Sequence, residues 1–228
     1  MPLNYLYAAR TYVDEWIACD RQSRKVLGFR EGYAPASDEA YEQLVEVATR
    51  YSVIRNFRVE SEHGDARLSP VWKALQEIEA PVSDQDAKDC VEKLVVALKG
   101  IYGRELVSAA SKFLWMRFGS PIIIYDSLTW NWMCKQGCST IGNYDDFYEA
   151  WRKNFEDEQR EIGAACEELL SVRKFFCPSE VTNEEFEQAV SSRWFAERVF
   201  DHAIVNESSR IVRQGNRPIE IRSMSDEL

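Results

Sequence analysis

The chain holds little of what many enzymes depend on. It has two histidines, His63 and His202, far apart in sequence, and six cysteines of which only Cys134 and Cys138 are neighbours. A Cys-x3-Cys pair without a second pair is a poor metal ligand set, so no metal centre is expected, and the cysteines read as reduced thiols filling apolar sites. No P-loop, Rossmann glycine pattern or serine-nucleophile elbow occurs, so nucleotide hydrolysis and dinucleotide chemistry fall away and no cofactor is expected. No apolar run approaches the roughly 20 residues needed to span a bilayer, so no membrane partner is expected. Met1 to Tyr12 lacks the apolar stretch of a secretory signal, which leads to the expectation of a cytoplasmic protein.

Positive charge is also scarce. Lys and Arg number 28 against 38 Asp and Glu, for a formal net charge of -10, which counts against nucleic-acid binding driven by bulk charge. The deficit is local. Glu77–Glu92 carries six acids against one base and Asp145–Glu168 nine against three, whereas Lys99–Arg117 carries four bases against Glu105 alone. A basic patch on an acidic protein is therefore compatible with the sequence.

What is present in quantity is helical periodicity. With 228 residues, 45% of them hydrophobic and 29% charged, the chain is long enough to bury a substantial core without disulfides. Apolar spacing predicts helices over Tyr7–Cys19, Glu39–Arg55, Pro70–Glu77, Asp84–Tyr102, Glu105–Phe118, Leu128–Lys135, Asp145–Leu170 and Asn183–Val205. Ser37-Asp38, Ser83-Asp84 and Thr182 with Glu185 supply start signals. The expected architecture is all-α, a compact multi-helix domain over residues 1–205, as one body or as two lobes with a site between them. A polar tail follows over residues 206–228. Pro121–Tyr125 reads as a short extended stretch.

One stretch departs from ordinary core. Lys112 lies within the nearly all-apolar stretch of the predicted helix Glu105–Phe118, flanked on the helical wheel by Ala109 and Met116, with Ser108 and Trp115 close by. Such surroundings disfavour the ammonium form and lower the lysine pKa, which is how a lysine becomes a nucleophile near neutral pH. Fourteen positions on, after a Gly-Ser-Pro turn, Asp126 stands at the expected N-cap of the next helix, where backbone N–H groups orient its carboxylate. The turn is able to return the chain toward the helix it left, placing lysine and carboxylate in one pocket.

Ser111-Lys112, the apolar helix after it, Pro121 and Ile124-Tyr125-Asp126-Ser127 together resemble helix-hairpin-helix DNA glycosylases, in particular the compact oxoguanine DNA glycosylase-like proteins of bacteria and archaea. Arg198-Val-Phe-Asp201-His-Ala is a weaker echo, and the close likeness covers about 25 residues. Where that family carries a glycine-rich hairpin before the lysine, this chain has Val107–Ser111 with Gly103 upstream. The resemblance implies base excision from nucleic acid. Lys112 would attack C1′ of a flipped nucleoside such as 8-oxoguanosine and form a Schiff base, and Asp126 would stabilise the developing positive charge and move protons. Trp115, Met116, Trp130 and Trp132 are the candidate walls of the base pocket, and Arg104, Arg117, Arg193 and Arg198 the candidate nucleic-acid contacts. Some relatives of this kind accompany bacterial defence operons that handle modified guanine-like bases, which implies a second possible setting.

Each residue also has an ordinary structural reading. Lys112 can pair with an acid or reach solvent along its stem, Asp126 can simply cap a helix, and tryptophans at helical spacing are usually core. Asp201 and His202, at i and i+1, point about 100° apart, so no shared site is expected of them, and His202 reads as structural or exposed. The alternative function is a catalytically silent helical module that binds a protein partner through the acidic Asp145–Glu168 helix.

Overall fold

The computed structural model describes residues 3–29, 37–57, 66–137, 143–175 and 180–215, and among these there is no strand. The fold is all-α. Helix α1 (Tyr5–Glu15) passes through a π-helical turn (Trp16–Asp20) into α2 (Arg21–Leu27) without a break. Then come α3 (Ser37–Arg50), α4 (Ser69–Gln76), α5 (Asp84–Tyr102), α6 (Val107–Phe118), α7 (Ser127–Lys135), α8 (Tyr144–Val172), α9 (Asn183–Val190) and α10 (Arg193–Gly215). No described helix is long and apolar enough to cross a membrane.

Local chemistry explains most boundaries. Ser83, Asp126, Asn143 and Thr182 cap α5, α7, α8 and α9, each accepting a hydrogen bond from a backbone N–H of the first turn, which satisfies donors that would otherwise lack a partner. Gly103 ends α5 in the left-handed conformation (φ 69°), which a side chain would resist.

Four boundaries differ from the sequence reading. The first helix runs on to Leu27, because the π turn adds a residue and shifts the apolar phase that a 3.6-residue period assumes. Helix α3 stops at Arg50, where Ser52 takes φ 56° and Val53 N–H closes back on the Ala48 carbonyl. The predicted Asn183–Val205 helix is divided at Ser191-Ser192, whose backbone groups end α9 and start α10. Helix α10 continues past Val205 to Gly215; residues 216–228 of the predicted tail lie outside the described residues, as do His63, Cys138 and Cys177.

Helix α1 packs on α10 and α8, α7 on α10, and α5 on α6, and the buried side chains form one continuous cluster from Tyr5 to Ile204. Helix α6 runs through its middle: all residues from Ala109 to Met116 are buried. The returning segment after α6 is extended but pairs with no strand. Its carbonyls are satisfied instead by α8, whose Tyr144 and Tyr148 hydroxyls donate to Ile123 O (2.7 Å) and Pro121 O (3.0 Å), as buried backbone polar groups require.

Candidate active site

The return of the chain after α6 is fixed by a serine one residue from the lysine. Tyr125 N–H donates to Ser111 Oγ (2.9 Å), which pins the segment against α6 and delivers Asp126 beside Lys112. One carboxylate oxygen of Asp126 accepts from Leu128 N–H (2.8 Å) as the α7 cap, and the other lies 3.6 Å from Lys112 Nζ. The lysine also donates to the Tyr51 carbonyl (3.4 Å). That carbonyl is available because α3 ends there in the left-handed turn at Ser52, leaving a last-turn C=O without a helical partner.

Lys112 and Asp126 border a cavity of about 300 Å³ together with Glu15, Arg50, Tyr51, Arg198, Asp201 and His202, among others. Behind it is a knot of buried charge. Asp20, fully buried in the π turn, accepts from Arg50 (3.0 Å), from the Tyr51 hydroxyl (3.2 Å) and from the Tyr12 hydroxyl (3.3 Å). Arg198 donates to Asp201 (3.0 Å), whose other oxygen accepts from Trp151 Nε1 (2.8 Å). The π turn brings Asp20 into this knot.

The electrostatics follow from burial. Lys112 is pushed below the ordinary lysine value chiefly by desolvation, with Arg198 adding to the effect, while Asp126 and Asp201 pull the other way. Asp201 is raised to about 6 by burial, against the pull of Arg198 and Trp151. His202 is lowered to about 3 by burial and by Arg198. It is therefore neutral and accepts from Arg198 (3.3 Å), and its 3.4 Å approach to Glu15 is not an ion pair.

Asp201 and His202 thus share a site after all, contrary to the expectation from their adjacency. Arg198, one turn earlier on α10, reaches both, so the 100° between them brackets the cavity instead of separating them.

The other expected residues disperse. Trp115 and Met116 are buried in the core. Trp130 packs on Tyr125 and Trp132 on Phe200, both partly buried, and none of these four lines the Lys112 cavity. Of the arginines, Arg198 lines it. Arg117 lines a second pocket, Arg193 is exposed and paired with Glu197 (3.1 Å), and Arg104 is exposed between α5 and α6. Arg50, Tyr51, Glu15 and Asp20 escaped the sequence reading. The only local trace they left is the acid at Asp20 interrupting the apolar spacing of the first helix.

No family model, curated protein or solved structure matches the chain.

Among the described residues no group of three or more His, Cys, Asp or Glu is placed to hold a metal ion. Cys19, Cys90, Cys134 and Cys166 are free thiols. Burial raises Cys90 and takes Cys166 to about 12, which leaves both as poor nucleophiles.

Proposed function

We propose that the chain is an N-glycosylase with associated lyase activity, acting on a modified purine nucleotide such as 8-oxoguanine in nucleic acid. The observation that carries this reading is a desolvated amine, Lys112, facing an oriented carboxylate, Asp126, in a cavity whose volume lies at the lower end of the range for small-molecule pockets.

The chemistry fits those two groups. Desolvation raises the neutral fraction of the amine, whose lone pair attacks C1′ as the bond from C1′ to the base breaks and the departing base takes up a proton. Asp126, 3.6 Å from Nζ, stabilises the positive charge that develops on the sugar and accepts the proton that the amine loses. Opening of the sugar ring then leaves a Schiff base between C1′ and Nζ. A base reaches such a cavity only after leaving its stack.

The test is borohydride trapping on oligonucleotides carrying 8-oxoguanine or an abasic site. A covalent adduct is expected with the wild-type protein and none with Lys112→Gln. Asp126→Asn is expected to slow base release by about 10²–10⁴-fold. Trapping should rise with pH through a value below the 10.5 of an ordinary lysine. Absence of an adduct on every substrate, single-stranded and duplex, would remove this reading.

A second reading has one observation in its favour. All nine acids of Asp145–Glu168 are exposed, while Arg152, one of the three bases there, is buried against Glu197. Lys88 and Arg10 of other helices pair with Glu149 and Glu168, and the acid excess that remains on this face is what docking to a basic protein partner would use. A complex that dissolves in high salt, together with an untrappable Lys112, would favour it.

A further inference from the structure

The second pocket, of about 440 Å³, lies where the C-terminal ends of α2 and α6 meet the corner between α9 and α10. Among the described residues its wall carries four cationic side chains, Arg21, Arg24, Lys25 and Arg117, and one carboxylate, Glu185. Glu185 is already engaged. It takes both Nε and Nη2 of Arg21 (2.7 and 2.8 Å) and lies 3.5 Å from Lys25. Arg24 and Arg117 are left over, and among the described residues neither has a hydrogen-bond acceptor or an ion pair.

Both guanidinium groups are nonetheless held in place. Arg24 lies over the rings of Trp194 (4.3 Å) and Trp115 (5.1 Å), and Arg117 over Phe118 (5.4 Å), Trp72 (5.6 Å) and Phe29 (5.7 Å). The backbone makes room for them. Arg24 Nη2 sits 2.5 Å from where a β-carbon on Gly119 would be, and Phe29 N–H donates to Arg117 O (2.7 Å), joining the end of α2 to the end of α6. Burial alone pushes the Arg117 guanidinium below its ordinary value, and burial is the leading cause for Arg24. Aromatic faces and helix C-termini offset part of that cost, but among the described residues no acceptor meets Arg24 Nη1 or Arg117 Nε.

We propose that this pocket binds a nucleoside 5′-phosphate, its phosphate held by Arg24 and Arg117 and its base stacked on the aromatic wall of Phe29, Phe118 and Trp194. Two guanidinium groups, Arg24 and Arg117, without a described carboxylate partner on a chain of net charge -10 match a dianionic group better than a single carboxylate. Guanidinium groups suit phosphate geometry, two of them line this one pocket, and partly exposed aromatic rings suit a base. The ligand is either a free nucleotide or the 5′-phosphorylated end of a strand, which present the same chemistry. The proposal does not use Lys112, so failure of the trapping experiment leaves it standing.

The test is calorimetric titration of the full chain with guanosine 5′-monophosphate, guanosine, inorganic phosphate, and a short single strand with and without a 5′-phosphate. Guanosine 5′-monophosphate should bind more tightly than phosphate, and guanosine should not bind. Arg117→Gln should weaken binding at least about tenfold, equivalent to about 1.4 kcal/mol, Arg117→Lys less so, and Lys112→Gln not at all. Arg117, partly exposed, decides the matter if Arg24→Gln fails to fold. Binding of the phosphorylated strand alone would assign the site to strand ends, and binding of the free nucleotide alone would assign it to a mononucleotide. The proposal is overturned if guanosine binds as well as its phosphate, if inorganic phosphate binds as well as the nucleotide, if Arg117→Gln has no effect, if Lys112→Gln abolishes binding, or if no phosphate-bearing probe binds.

Discussion

The two cavities treat charge in opposite ways. Around Lys112 every strong cation meets an acceptor: Arg50 meets Asp20, Arg198 meets Asp201, and Lys112 lies between Asp126 and the Tyr51 carbonyl. Arg24 and Arg117 meet aromatic faces and, among the described residues, no hydrogen-bond acceptor. Guanidinium groups of Arg198 and Arg24 both lie 5.1 Å from the buried Trp115 ring, so one core indole contacts a cation of each cluster. A compensated knot is rigid and tunes the groups within it. An uncompensated pair of arginines costs folding free energy that an anionic ligand would recover.

The sharpest way to break the comparison is to remove one arginine from each side. Arg198→Met strands the buried carboxylate of Asp201 and weakens the field on Asp20, and should cost about 3–5 kcal/mol of stability. Arg24→Met strands no carboxylate, and a thioether packs well between indoles, so it should remain within about 1 kcal/mol of wild type. Urea unfolding of both variants decides. Equal losses would mean that Arg24 has a structural role equivalent to that of Arg198.

The second comparison uses pH. His202 is held neutral down to about 3, whereas in the unfolded chain it titrates near 6.5. Its folded pKa is depressed, so it contributes stability that is complete above 6.5 and is lost as pH falls from 6.5 toward 3. The loss should be roughly 2–3 kcal/mol once its partial exposure is considered. Asp201, raised to about 6, acts with the opposite sign: its contribution is lost as pH rises from about 4 toward 6. His202→Asn should therefore flatten the acid side of the stability profile relative to wild type. Changes at Arg24 or Arg117 should leave that side unaltered, and a profile that responds equally to both would erase the distinction between the cavities.

The sequence was most legible where signals are local. Ser83 and Asp126 cap their helices by bonds within three residues, so α5 and α7 begin within one residue of expectation, and the Lys112–Asp126 pair followed from the turn between them. Convergence from distant elements was not legible. Nothing near Tyr51 announces that its carbonyl will face a lysine 61 positions away, because that depends on the left-handed Ser52 and on the packing of α3 against α6. Asp20 owes its position to a π turn, which breaks the very periodicity used to find helices. The tryptophans misled for a related reason: aromatic residues at helical spacing mark the buried face, and here that face points into the core and not into the cavity.

The smallest expected effect bears most on function. Replacing Lys112 by Met removes a desolvated ammonium from a buried position, and the partner it leaves behind is not stranded. Asp126 keeps its hydrogen bond from Leu128, and its side chain is 31% exposed. Lys112→Met should therefore raise stability by about 1 kcal/mol near neutral pH, as is common when a group serves chemistry at the expense of folding. The sign can be checked by pH. A lysine depressed in the folded state favours the unfolded chain most at low pH, and that penalty disappears as pH rises from its lowered value toward 10.5. The stability advantage of Lys112→Met should shrink over the same window. If the variant is instead less stable than wild type at neutral pH, Lys112 is a structural partner of Asp126, and the charged knot behind it exists to hold the fold.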